Sequence, residues 1–377
     1  MEKKFKIRFR DLSVTDPLLK EELLNAVDRV LTHGQLLMGE EVEQFEKRVA
    51  EYCGTKYCVG VSSGTDAIYL ALRTLDLKPQ DEVITTPLSW IATLNAIHLV
   101  GAQPVFVDIT EDLNINTELI ESVITSNTKV ILPVHFTGRI CNMNRILQVA
   151  KKYDLAIVED AAQAFGAISG GHYAGSFGTF SAFSMNPMKV FPGYGEAGVV
   201  LTNDKVAYEK LLALRYLGTV NKEICYYPSL NSKIDTIQAA MMLVSFKYHE
   251  HNIARRIEIA NYYTSELKDL VRCPKIVASS SSRCVFFDYT ILTESRDELK
   301  DFLEVNGIET KIKHPILMPN QPAYEHLHNQ SFPVAEKAVK EILCLPIHEK
   351  LTLNDLDYII QNIKQFYLIH QRGGEGK

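Results

Sequence analysis

Little in this sequence invites a metal, a membrane or a nucleic acid. Its seven cysteines, at 53, 58, 141, 225, 273, 284 and 344, are odd in number and include no C-x-x-C pair. That argues against a zinc site or a disulfide framework and fits a reducing cytoplasm. The net charge is −6, with no block of like charges. No general surface for nucleic acid or a membrane is expected, and an anionic ligand would need a local basic pocket. No stretch approaches the roughly 20 apolar residues of a membrane-spanning helix. The opening MEKKFK is followed by no apolar run, so no signal peptide is expected. No short-period repeat is visible. No G-x-G-x-x-G directly follows a strand to open a helix, as a nicotinamide-binding unit requires. Tryptophan occurs once, as Trp90.

What is present suits a globular protein. The chain has 377 residues, 46% hydrophobic and 23% charged, which suggests two domains. The division is expected near residue 245, with an N-terminal arm and large domain over 1–245 and a small α+β domain over 246–377. Residues 372–377 are polar and Gly-rich and are expected to be disordered. Helical spacing covers 17–33, with Leu19, Leu23, Val27 and Leu31 inward, and 41–52, with Val42, Phe45 and Val49 inward. Short apolar strands then alternate with helices. Strands are expected at 58–62, 82–86, 104–108, 129–136, 156–160, 179–184 and 199–202. Helices are expected at 64–75, 91–100, 117–124, 143–153 and 204–217. This alternation implies an α/β fold, a mostly parallel sheet between helices. Residues 218–231 read as a loop. A long helix, capped by Asp235 and Gln238, runs on toward 267 as the passage between domains. Beyond it come strand 285–292, helix 296–306, strand 309–313, helix 334–343 and a final helix capped by Thr352 and Asp355.

The chemistry centres on Lys189. It lies in a loop between two strands, flanked by Met188, Val190 and Phe191. Apolar surroundings disfavour the charged amine and make it a nucleophile toward a carbonyl. Ligands of such sheets bind at the carboxyl ends of the strands, and several candidates converge there. Ser63-Gly64-Thr65-Asp66 joins a strand to a helix start with capping-box spacing, where free N–H groups and the dipole can seat a phosphate. Trp90 offers an aromatic face, and Asp160 ends a strand, with Gln163 just beyond. Each also has an ordinary reading: an N-cap for Ser63, an N-cap before 161–164 for Asp160, a core position for Trp90. Together they meet the needs of an aromatic aldehyde cofactor with a phosphate and a ring nitrogen. Gly64 and Thr65 would seat the phosphate, with Ser184 added. Asp160 would keep the ring nitrogen protonated, and Gln163 would bond the ring oxygen.

The stretches SSGTDAIYLAL, TTPLSWIATLNAI, GAQPVFVDI, VEDAAQAFGA, FSMNPMK and GEAG, in this order, resemble the pyridoxal-phosphate sugar aminotransferases of the DegT/StrS type, across about residues 17–370. The resemblance implies the PLP transferase fold type I (aspartate-aminotransferase-like), a homodimer, and amino transfer from glutamate or a similar donor to a nucleotide-linked keto-sugar. By the same resemblance, Lys189 matches the Schiff-base lysine, Asp160 the partner of the pyridine nitrogen and Gln163 the neighbour of the ring oxygen. Gly64, Thr65 and Ser184 match phosphate contacts, and Trp90 the stacking aromatic. Asn231 matches an asparagine that reaches the other subunit's phosphate, and Lys313 and His314 fall where the family contacts sugar or nucleotide phosphate. Three positions depart from the usual pattern: Asn186 where His or Tyr is frequent, Ala197 for a glycine, and Lys313 where His is common. A sugar dehydratase of the same fold would carry histidine in place of Lys189. A catalytically silent ligand-binding regulator is the remaining alternative, and no DNA-binding motif or basic arm supports it.

Overall fold

The computed structural model describes residues 5–374 apart from 222, 280 and 329; residues 1–4 and the last three of the expected disordered tail, 375–377, lie outside the described residues. Seven strands form the central sheet: β1 (Tyr57–Val61), β2 (Glu82–Thr85), β3 (Gln103–Phe106), β4 (Thr128–Ile131), β5 (Ala156–Asp160), β6 (Phe180–Ser184) and β7 (Gly198–Thr202), in the order β1-β7-β6-β5-β4-β2-β3. β7 runs antiparallel to both neighbours, and every other pairing is parallel. β6 and β7 are buried at every position, as strands covered on both faces must be.

Helices supply the covers. The helices α1 (Pro17–His33) and α2 (Glu40–Cys53) precede the sheet, and α3 (Gly64–Thr74), α4 (Ala92–Leu99), α5 (Met143–Tyr153) and α6 (Lys205–Arg215) are threaded through it. One core joins α3, α4 and α6 to the strands through Ala67, Leu70, Ile97 and Leu211. On the other face α5 packs Ile146 and Val149 against Ile131 and Ile157, and α2 inserts Val42, Phe45 and Val49 beside Phe183 and Val199. The chain continues through α7 (Thr236–Ser245) and α8 (His249–Leu267) into a C-terminal unit. That unit holds a two-stranded sheet, β8 (Tyr289–Leu292) with β9 (Ile342–Leu345), and helices α9 (Arg296–Val305), α10 (Pro333–Glu341) and α11 (Leu353–Gly374). Ile7, near the start of the chain, is buried in the same cluster as Tyr263, Ile291 and Leu345.

Several expected elements differ, each for a local reason. The inward face of α1 is Leu23, Ala26 and Val30, and Leu31 is 60% exposed. The small Ala26 and Ala240 let α1 pack against α7. The helix expected at 117–124 is a single 3-10 turn, Ile120–Val123. The strand expected at 129–136 stops at Ile131, two residues before Pro133, which has no N–H for a ladder. Residues 218–231 contain a small hairpin, Thr219–Val220 with Ile224–Cys225. The long helix toward 267 is broken by a 3-10 turn at Phe246–Tyr248. Its expected cap does not form, because the Gln238 side-chain carbonyl accepts the Tyr194 N–H at 2.9 Å. The strand expected at 285–292 begins only at Tyr289. Phe286 has a left-handed φ of 48°, and the N–H groups of Val285 and Phe287 turn to the carbonyls of Gly138 and Thr137. Residues 309–313 make one bridge, Lys311 to Cys344, and the helix expected to 343 ends at Glu341. Residues 372–374, expected in the disordered tail, continue α11.

Glu159, the next-to-last residue of β5, organises the loop that leads into β6. Its fully buried carboxylate accepts from His135 Nε2 (2.9 Å), the N–H groups of Gly175 (3.0 Å), Phe177 (2.9 Å) and Gly178 (2.7 Å), and Ser181 Oγ (2.7 Å). Burial alone would push this carboxyl up; His135, Ser181 and the backbone donors outweigh it and hold it below its ordinary value. Glu159→Ala leaves all these donors unpaired in a dry interior. The expected destabilisation is about 3–5 kcal/mol, read as a drop in the urea midpoint; a change under about 0.5 kcal/mol would contradict this role.

Candidate active site

The loop between β6 and β7 is closed at its neck by Met185 N–H to the Ala197 carbonyl (2.8 Å) and Gly193 N–H to the Met185 carbonyl (2.7 Å). Val190 and Phe191 anchor it by entering the core, with Phe191 at 5.0 Å from Phe165 and 4.8 Å from Phe246. Met188 points outward and is 36% exposed. The burial of Lys189 therefore comes mainly from elsewhere in the fold. Its Nζ sits 4.7 Å from the Phe287 ring centroid, a residue of the C-terminal unit. Burial pulls its pKa down to about 8; Asp160 opposes the shift and Lys313 adds to it.

Asp160 is 3% exposed. Its Oδ2 accepts the Thr93 hydroxyl at 2.7 Å, and Oδ1 accepts the Ala162 N–H at 3.2 Å. Thr93 Oγ1 lies 3.0 Å from Ser89 Oγ. Burial still dominates and raises the Asp160 pKa despite those bonds and the attraction of Lys189. Turns, not a helix, follow Asp160, so the ordinary N-cap reading fails. This carboxylate still calls for a cationic partner. Gln163, 5% exposed, has its side-chain carbonyl pinned by the Thr137 N–H at 2.8 Å, which leaves its amide N–H groups as donors.

The helix N-terminus lies beside Ser184. Ser63 Oγ caps α3 by accepting the Asp66 N–H at 3.1 Å. The Asp66 carboxylate takes the Ser62 hydroxyl instead of closing a full capping box. Among the described residues the N–H groups of Gly64 and Thr65 have no partner in this chain, the orphan donors of a helix start. A Cβ on Gly64 would stand 2.4 Å from Ser184 Cβ, so glycine is what lets Ser184 reach this end of the helix.

A third wall comes from the other end of the chain. Lys313 Nζ is 2.6 Å from Asp288 Oδ2 and 4.1 Å from the Phe287 ring centroid. Arg10 Nη2 is 2.9 Å from Asp288 Oδ1. Burial would raise the Asp288 pKa, but Lys313 and Arg10 outweigh it and hold the carboxyl below its ordinary value. His314, at φ 54°, places its ring between Phe136 (5.6 Å) and Trp90 (5.9 Å). Burial, with Lys313, holds it at a pKa of about 4, so its ring is neutral near pH 7. Trp90 is 61% exposed and is not a core residue. Asn231 lies on an exposed stretch, accepts a hydrogen bond from Lys233 Nζ, and among the described contacts touches neither Lys189 nor Asp160. Asn186 donates to Glu196 at 2.6 Å, and Ala197 is buried in the core.

Sequence reasoning missed Thr93, Ser89, Phe287, Asp288 and Arg10. The Ser89-to-Thr93 spacing carried a faint helical signal. Arg10, some 180 residues from Lys189, carried none.

A desolvated amine coupled to a buried carboxylate at the ends of a parallel sheet, with orphan N–H donors beside it, defines an enzyme of the amine–carbonyl transfer class. The chain belongs to the DegT/DnrJ/EryC1/StrS aminotransferase family, whose model matches residues 17–364. It is 36% identical over 364 residues to a "Pleiotropic regulatory protein" of Geobacillus stearothermophilus, covering 95% of this chain and 97% of that one. It is 35% identical over 362 residues to the dTDP-3-amino-3,6-dideoxy-alpha-D-galactopyranose transaminase of Aneurinibacillus thermoaerophilus, covering 96% and 99%. Its fold matches the crystal structure of NtdA from Bacillus subtilis with bound cofactor PMP, at TM-score 0.87 and 31% identity, covering 96% of this chain and 87% of that one.

Two outcomes follow from the geometry. With the site free of cofactor, Lys189 is protonated below about pH 8 and neutral above it, so its acetylation rate rises with pH through a midpoint near 8. An ordinary midpoint near 10.5 would contradict its burial. Thr93→Val removes a donor to buried Asp160 and makes its ionised form costlier. Pyridoxal-phosphate affinity is expected to fall about tenfold, the equivalent of about 1.4 kcal/mol, measured by fluorescence titration.

Proposed function

We propose that this chain is a pyridoxal-phosphate aminotransferase that moves an amino group from glutamate or a similar donor to a nucleotide-linked keto-deoxysugar, for an amino sugar of a surface glycan or secondary metabolite. The observation that carries the reading is the pair Lys189 and Asp160, a desolvated amine on a half-buried side chain facing a buried carboxyl, each shifted toward its neutral form. The residues present fit the cofactor. The orphan N–H groups of Gly64 and Thr65, with the Ser184 hydroxyl, suit a phosphate. Among the described residues Asp160 makes no direct ion pair, and a protonated ring nitrogen would supply one. Trp90 has an open face for stacking, and Gln163 presents N–H groups for a ring oxygen.

Pyridoxal phosphate, when bound, supplies an aldehyde for amine exchange and an electron-withdrawing ring. This chain's residues do the rest. Lys189 Nζ would hold the aldehyde carbon. When free, Nζ would serve as the general base that takes the proton from the donor α-carbon and holds it for return. Asp160 would hold a proton on the ring nitrogen, and so would sustain the ring's electron withdrawal. Thr93 and Ala162 orient that carboxylate. Lys313 offers remaining ammonium donors to an anionic group of the substrate, and neutral His314 offers a ring nitrogen for a hydroxyl.

We assign the assembly as a homodimer. Leu18, Leu24, Leu31, Leu36, Leu37 and Met38 are 42–62% exposed on α1 and the turn after it, an apolar surface of the kind that marks an interface. Asn231 would then complete the phosphate seat of the other subunit. We place the division between the two domains near residue 245, at the turn between α7 and α8. Among the described residues no helix is long and apolar enough to cross a membrane, and a cytoplasmic location suits the proposed substrates.

Purified protein given pyridoxal phosphate is expected to gain visible absorbance and to form 2-oxoglutarate from glutamate when offered a keto-sugar nucleotide. A panel of such nucleotides, read by mass spectrometry, identifies the acceptor. Lys189→Ala should lower turnover by at least about 10³-fold. Full activity in that variant, or no cofactor binding by the parent, would overturn the assignment.

A further inference from the structure

Two amine-bearing side chains share one aromatic ring. Lys189 Nζ and Lys313 Nζ lie 4.7 and 4.1 Å from the centroid of Phe287. A second cation so close to a reactive amine would be expected to swing into solvent unless something holds it. Asp288 does so, through the 2.6 Å ion pair. Asp288 is held in turn by Arg10, whose guanidinium also donates to the carbonyls of Phe287 and of Ile347, the latter at 2.6 Å. The Arg10 and Asp288 side chains are 4% and 2% exposed, while that of Lys313 is 21% exposed. The triad therefore has a buried base and a tip that reaches the site.

Its charge count matters. An isolated Lys313–Asp288 pair would be nearly neutral and would act weakly on a neighbour. Arg10 makes the triad net positive, so the charge at its tip is not cancelled. The other charged groups facing Lys189 act in the opposite sense: Asp160 from β5, Glu196 from its own loop and Asp288 itself all favour the protonated amine. His314 is neutral near pH 7.

We propose that Lys313 is a positioning residue that tunes Lys189: Arg10 grips Asp288, Asp288 clamps the Lys313 ammonium against Phe287, and the charge held there favours the unprotonated Lys189 amine. This rests on the reading of Lys189 as the reactive amine and adds what sets its proton affinity. It also gives the N-terminal segment a part in the site, because Arg10 belongs to neither the sheet nor the Lys189 loop.

The test is competitive acetylation of full-length protein freed of cofactor, across a pH series, with Lys189 followed by mass spectrometry. Lys313→Met is expected to raise the Lys189 midpoint by about one unit, the effect of losing a nearby like charge. Lys313→Arg, which keeps the charge, should restore the parent midpoint. In an Asp288→Asn background the further change Lys313→Met should shift the midpoint less than half as far, since the clamp is already gone. In the holoenzyme, the pH midpoint of the bound cofactor's visible band should rise in Lys313→Met as well. Lys313→Gln serves if the Met variant does not fold. An unmoved midpoint in a folded variant overturns the tuning role, as does an Arg variant that shifts as far as Met. Equal shifts with and without Asp288 overturn the clamp. Labelling needs no turnover, so it reads Lys189 even if every keto-sugar nucleotide fails. A parent Lys189 that labels like a surface lysine would instead sink the functional reading beneath this one.

Discussion

Two adjacent carboxylates at the end of β5 carry the logic of this molecule. Successive residues of a strand face opposite sides of the sheet, so Glu159 and Asp160 meet different surroundings although neither is exposed to water. Glu159 faces a side where His135, Ser181 and three backbone N–H groups converge, and its charge is satisfied by the fold. Asp160 faces the site with two donors, Thr93 and Ala162, and its charge stays costly. One carboxylate fixes the loop into β6, and the other is left wanting a cation. That unmet need is what makes the strand end a site rather than a structural corner.

The same economy governs the amine opposite. Lys189 is desolvated by side chains far from it in sequence, above all Phe287. Its loop is anchored by Val190 and Phe191 entering the core, which aims the preceding lysine the other way. The helix α3 can stand beside it because Gly64 and Gly198 leave no Cβ where Ser184 and the Ser63 carbonyl must pass. Each close approach depends on the others. The start of α3 with Ser184, the Asp160 carboxylate and the Lys189 amine are thus one packed unit rather than three separate features.

The chain ends complete this unit. Arg10 and Ile7 pack with the C-terminal elements, and that side of the molecule brings Asp288, Lys313 and His314 to the Lys189 loop. Phe286 and His314 both adopt left-handed φ, which turns short irregular stretches toward the site.

Much of this was legible in the residues themselves. Strand–helix alternation gave the parallel sheet, because apolar runs and helical spacing are local properties. Lys189, Asp160, Gly64, Thr65, Ser184 and Gln163 stood out as candidates, because strand ends and capped helix starts can be read within a few residues. Tertiary structure alone decided the rest. Met188 was a poor guide to the burial of Lys189, since it points to solvent while Phe287 supplies the apolar wall. Trp90 turned out exposed, Gln238 left its expected cap for the Lys189 loop, and the inward face of α1 was set by small residues on its neighbour. Sequence fixes what a segment can do alone; proton affinities and contacts between distant segments depend on which surfaces are driven together, and that is settled only when the whole chain packs.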